Sequence, residues 1–211
     1  ADYYSLYGVF ASSQEALVTL GEPTAGGTAF QRELSKRRQT LRTTFAALRR
    51  QASLRSRQRV ADYLFAQTEL DKYPAGDFDQ IFFPTDLLPG FVHRWADYLR
   101  GAEKRQDPIF SHWLAYAKLP TADFARRAAE LTFDKSAVHP LVAAEFQSPP
   151  KSMREVADRY GQVFAQADSP AGKTLRPVLY GPKSAAEVPN LPVVHSQRFF
   201  DTASATKLYR L

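Results

Sequence analysis

The stretch AFQRELSKRRQTLRTTFAALRRQASLRSRQRVADYLFAQTELDKY, residues Ala29–Tyr73, runs for 45 residues without a proline or a glycine. Those two residues are the usual local interrupters of helix, so their absence over this length predicts one long α-helix. Projected at 100° per residue, Phe30, Leu34, Leu41, Phe45, Leu48 and Ala52 fall in a stripe about 60° wide, narrower than the apolar face of a helix lying on a globular core. A stripe of that width suits a single partner helix. Leu34, Leu41 and Leu48 recur at seven-residue intervals, which predicts a coiled-coil-like arm over 29–73.

Upstream of the arm, Gly21–Thr28 (GEPTAGGT) reads as a flexible connector. Before it, Tyr3, Tyr4, Leu6, Tyr7, Val9 and Phe10 form an apolar patch too short to stand alone, so residues 1–20 read as the tail of an upstream domain. Downstream, Pro74, Gly76, Pro84 and Pro89 around Ile81, Phe82 and Phe83 predict an ordered loop over 74–90. A bundle of short helices is then expected to complete residues 74–181. Gly90–Lys104 presents Phe91, Trp95, Tyr98 and Leu99 on one face, and Asp107-Pro108 suits the start of a helix through Phe110, Trp113, Leu114 and Ala117. Both tryptophans read as core. Thr121 is placed to cap a helix carrying Phe124, Ala128 and Leu131, Pro140–Phe146 forms a short piece, and Ser152-x-x-Glu155 is a capping box ahead of Val156, Tyr160, Val163 and Phe164. Ser169-Pro170 starts another helix. Residues 182–211 read as a proline-rich linker followed by the truncated start of a downstream helix, which is expected to continue past Leu211 and to pair with the arm. The expected architecture is therefore all-α: a long coiled-coil-like helical arm plus a compact bundle of short helices.

Composition supports a folded chain. With 211 residues, 44% of them hydrophobic and 13% aromatic, there is enough apolar surface for a core and too much for a disordered segment. No apolar run approaches the ~20 residues of a membrane-spanning helix. A basic stretch followed by an apolar one does not open the chain, so any targeting signal is expected upstream or already removed. The absence of cysteine excludes disulfides, thiolate metal sites and covalent c-type haem attachment within these residues.

Charge is concentrated rather than spread. Ten of the residues between Arg32 and Arg59 are basic and only Glu33 is acidic, a local +9 against +6 for the whole chain, so the remainder sums to −3. This helix is either a polyanion-binding rod, with Arg37, Arg38, Arg42, Arg49 and Arg50 as candidate contacts, or a solvated face offset by acidic groups on a partner. The second reading is favoured, because the cations spread around most of the helix. Nucleic acid is disfavoured, since no aromatic residues interleave in the way single-strand binding requires.

Ala167–Thr174 (ADSPAGKT) fits a relaxed phosphate-loop pattern, with Ala where the stricter pattern has its first Gly. The preceding Glu155–Gln166 is periodic as a helix, however, and a working loop follows a buried strand. His93, His112, His139 and His195 are widely separated and read as structural, with His93 and His112 able to approach only if their helices pair. Asp77 and Asp79 flank a turn, where carboxylates more often cap backbone. No catalytic residue, cofactor or metal is expected.

The motifs Asp2–Phe10 (DYYSLYGVF), Asp107–Phe110 with Trp113, His139–Ala143 (HPLVA), Glu155–Ala157 with Arg159–Gly161, and Leu175–Gly181 (LRPVLYG) occur in an order that resembles the planctomycete-type surface proteins. In these a cytochrome c domain precedes two domains of unknown function. The similarity spans nearly the whole chain and places it between the two uncharacterised domains. His139 stands where the family more usually has Asn. The resemblance implies a secreted or cell-surface setting, with the flanking domains of the full-length protein as partners, and brings no assigned activity. The function expected is a non-catalytic structural or interaction module, with another protein or an acidic polysaccharide as candidate partner. The alternatives are a polyanion-binding module, for acidic polysaccharide or nucleic acid, through the basic arm, and an accessory domain of an enzyme or redox protein whose active site lies in the flanking domains.

Overall fold

The computed structural model describes residues 25–73, 81, 83 and 85–211, and of Ala25, Gly26 and Lys135 the backbone alone. The chain divides into two units, Ala1–Gln39 and Thr40–Leu211. Among the described residues every regular element is helical, so the fold is all-α. The aromatic opening, residues 74–80 with Asp77 and Asp79, Phe82 and Pro84 lie outside them.

Helix α1 (Ala25–Gln58) is the long helix that the uninterrupted stretch predicts, and it begins within the expected connector, four residues before Ala29. It does not continue to Tyr73. Arg59 leaves helical geometry at φ −119°, ψ 31°, a short helix α2 (Val60–Phe65) follows, and Ala66–Lys72 is 3₁₀ with a further departure at Glu69. No glycine or proline marks either break. The cause is tertiary: the Arg59 guanidinium donates to the Asp86 carbonyl (3.1 Å) and to Asp62 (3.0 Å), while Val60, Tyr63 and Leu64 are buried in the core.

In the larger unit, α2 packs on helix α7 (Met153–Ala165). A Cβ on Gly161 would stand 3.0 Å from the Ala61 Cβ, so glycine at 161 is what allows the two helices this approach. Ser152 caps α7 as its sequence predicts, and the return bond of the box is made one residue earlier, at Lys151. Glu155 N–H donates to Ser152 Oγ (3.2 Å), and the Glu155 carboxylate accepts from Lys151 N–H (2.8 Å), which holds it below the usual carboxylate range. Arg154 bridges Asp62 (3.1 Å) and Asp158 (3.0 Å) along the same contact.

Helix α3 (Pro89–Arg105) begins one residue before the expected Gly90, so Pro89, which reads as loop in the sequence, is its first residue, and it buries Phe91, Val92, Trp95 and Leu99. It ends at Gln106 in the left-handed region (φ 53°), where Gln106 N–H and Asp107 N–H return to the Glu103 and Ala102 carbonyls. Asp107 then accepts from Ile109 N–H (3.0 Å) in a tight turn, so helix α4 is Ser111–Tyr116, starting after the predicted proline position. Thr121 opens a 3₁₀ turn and makes no side-chain cap, and helix α5 (Phe124–Glu130) stops short of Leu131. Helix α6 is Pro140–Glu145. Both tryptophans lie in the core, with Phe110 and Tyr160 stacked at 5.8 Å between them.

Tyr160 is the polar pivot of that core. Its buried hydroxyl donates to the Ile109 carbonyl (2.8 Å) and accepts from Trp113 N–H (3.1 Å), and burial pushes its ionisation far up. Tyr160→Phe would leave both backbone groups without that partner, so a loss of about 2–3 kcal/mol is expected in urea-denaturation measurements. A loss under ~0.5 kcal/mol would show that the bridge is not needed.

The 182–192 stretch is not a linker. Ser184, Ala185, Ala186 and Val188 are buried, their small side chains fitting against the core, and Ala185 N–H donates to the Val178 carbonyl (3.0 Å). Ser169-Pro170 belongs to a turn, followed by 3₁₀ geometry at Lys173–Leu175 and helix α8 (Arg176–Leu179). Helix α9 (Thr202–Tyr209) is capped by Asp201 through Ser204 N–H. In the larger unit, the part of α1 from Thr40 onward meets this C-terminal chain instead of a second long helix: Phe45 packs edge-on against Phe200 at 5.9 Å, and Ser53 Oγ accepts from Val188 N–H (3.0 Å). The pairing is thus to irregular chain, and the narrow stripe reflects a narrow strip of contact.

Candidate polyanion-binding helix

Of the five candidate contacts, Arg37 and Arg38 belong to the first unit. Arg37 Nε donates to Glu33 (3.0 Å) one turn back, with both side chains more than half exposed, and such a pair contributes little, about 0.3–0.5 kcal/mol. Arg38 is exposed and meets no acidic group among the described residues.

The larger unit separates its arginines into two sets. Arg42 and Arg50 are exposed, without an acidic partner among the described residues, and lie eight residues or about 12 Å apart along α1. Arg49 is drawn into the fold instead. Its guanidinium donates to the Val188 carbonyl (3.0 Å) and to Asn190 Oδ1 (3.2 Å) and lies over the Phe45 ring, so it is a structural cation and not a free contact. Arg55 pairs with Asp201 (3.3 Å), and Arg57 with Glu187 (3.3 Å) while covering the Tyr180 ring at 4.7 Å. Those acids lie 146 and 130 residues away in sequence, so no local spacing could have distinguished the structural cations from the free ones.

The phosphate-loop pattern folds as a helix-terminating turn. It follows helix α7, with no strand feeding it, and Gly172 N–H turns back to the Ser169 carbonyl and hydroxyl, both at 3.1 Å. A Cβ at Gly172 would stand 1.9 Å from the Gln166 carbonyl, so glycine there serves the close return of the chain. Asp168 meets Arg176 and accepts from the Tyr180 hydroxyl (3.2 Å), which puts a carboxylate in the loop. The geometry that cradles phosphate is not formed.

The histidines go separate ways. His112 is buried, stacked on Phe133 at 3.7 Å, and desolvation pushes it down to about 4. His139 caps α6: Nδ1 accepts from Leu141 N–H (3.3 Å), which leaves the proton on Nε2 to donate to Thr174 Oγ1 (2.6 Å). That is the role an asparagine at this position would fill. Among the described residues no group of three or more His, Asp or Glu is placed to hold a metal ion, and no helix is long and apolar enough to cross a membrane.

Comparison with known proteins adds no relative. No family model, curated protein or solved structure matches this chain.

Proposed function

We propose that this chain is a non-catalytic structural and interaction module of a larger secreted or cell-surface protein, and that its contact cations are Arg42 and Arg50 in the larger unit and, separately, Arg38 in the first. The reading is carried by the division among the arginines: those facing the C-terminal chain have partners, and these three are exposed and have no acidic one among the described residues. Acidic polysaccharide suits the surface better than single-stranded nucleic acid. The aromatic ring between Arg42 and Arg50, Phe45, is turned onto Phe200 and is not offered to a base.

Fluorescence anisotropy with a labelled acidic polysaccharide and with duplex DNA, each across a salt series, tests this. Binding to the polysaccharide is expected to weaken steeply with salt. Combined Arg38→Gln, Arg42→Gln and Arg50→Gln should flatten the log–log slope by roughly 2 to 3, about one per cation removed. An unchanged slope moves the interaction elsewhere. Preference for DNA would overturn the polysaccharide assignment.

A further inference from the structure

A second cationic surface is built on α3. Arg94, Tyr98 and Arg105 share one face of α3 and line a cleft of about 480 Å³, completed by Pro182, Lys183 and Ser184 from the packed stretch that reads as a linker in sequence.

The cleft holds more positive than negative charge: Asp97 also lines it, but is engaged by Arg100, which lies outside the lining, against Arg94, Arg105 and Lys183. Arg94 is half-buried, and its Nη2 donates to the carbonyls of Pro182 (3.3 Å) and Ser184 rather than to a carboxylate. Its Nε and the Ser184 hydroxyl are both buried without a partner among the described residues. The carboxylates in its field, Asp97 and Glu187, are paired with Arg100 and Arg57. Desolvation accordingly dominates and lowers the Arg94 pKa. A guanidinium withdrawn from water without a counter-charge is unfavourable by itself, and an anion nearby would relieve it.

Two further cations line the same space. The Arg105 guanidinium lies over Gly101, where a Cβ would come within 3.0 Å of Nη1, and over the Tyr98 ring at 5.9 Å. Its own carboxylate contact, Asp107, is long at 3.8 Å. Lys183 is exposed with no acidic partner among the described residues. A fork, a point charge and a field behind them offer donors from several directions, which matches the three free oxygens of a tetrahedral ester better than the two of a carboxylate. The cleft is larger than such an ion, and Tyr98 and Pro182 supply apolar surface for a ring attached to it.

We infer that the cleft binds a phosphate or sulfate group carried on a small molecule, with Arg105 and Lys183 as direct contacts and Arg94 setting the field. Calorimetric titration of the full chain with inorganic phosphate, inorganic sulfate, phenyl phosphate and phenyl sulfate, at an ionic strength fixed with chloride, tests it. Saturable binding is expected, tighter for the phenyl esters than for the bare ions, and the preferred series names the source. Combined Lys183→Gln and Arg105→Gln, both surface changes, should weaken it about tenfold or more. The Arg38, Arg42 and Arg50 substitutions should leave it unchanged, which separates this site from the helix. Absence of saturable heat in the parent chain, or equal affinity in a folded double variant, overturns the assignment.

Discussion

Trp95→Ala is expected to lower the free energy of unfolding by about 3–5 kcal/mol, the range for removing a large aromatic side chain from a packed core. Trp95 is fully buried and meets Phe164, Tyr98 and Phe110 with ring centroids 6.1 to 6.3 Å away. Its indole N–H has no partner among the described residues, so the whole loss is packing and none of it a broken hydrogen bond. That amount is comparable with the entire stability of an ordinary domain, about 5–15 kcal/mol. Denaturant titration should show a lower midpoint at an unchanged slope. Trp95→Phe keeps a ring and discards the unpartnered N–H, so it should cost less. An alanine variant within ~1 kcal/mol of the parent would mean that the aromatic cluster does not hold the core.

The second large effect is acid destabilisation through His112. Its folded pKa, about 4, lies below the unfolded value, so the neutral ring's contribution is fully present above pH ~6.5. It is lost as pH falls from there through 4, amounting to about 3 kcal/mol at the acid end. The paired carboxylates Glu155 and Asp201, both held below their usual range, add their losses lower down. His139 is also lowered, chiefly by desolvation, and acts in the same direction. His112→Phe retains stacking on Phe133 and should flatten most of the slope between pH 6.5 and 4.5. Thermal unfolding across that window distinguishes the two proteins, and parallel curves would rule His112 out as the source.

What could be read from sequence was local. The Ser152–Glu155 box and the apolar spacing of Val156, Tyr160, Val163 and Phe164 act within a turn or two, and the helix they announce is present. The long helix was legible in kind but not in extent, because its break at Arg59 depends on Asp86 and on the approach of Ala61 to Gly161. Arg49 was misassigned for the same reason. Its spacing resembles that of Arg42 and Arg50, and only the fold brings Val188 and Asn190 beneath it. The 182–192 stretch has the composition of a linker, yet Ser184, Ala185 and Ala186 are small enough to be buried where larger side chains would not fit.

The stitches between α1 and the C-terminal chain also dictate an order of events. Ser53 to Val188, Arg55 to Asp201 and Arg57 to Glu187 close loops of 135, 146 and 130 residues. Such contacts form only after the intervening chain has been gathered, so they tend to lie late on a folding route and to slow it. During synthesis the second half of α1 emerges long before its anchors exist and must wait for them. A fragment cut at residue 181 would leave it waiting permanently.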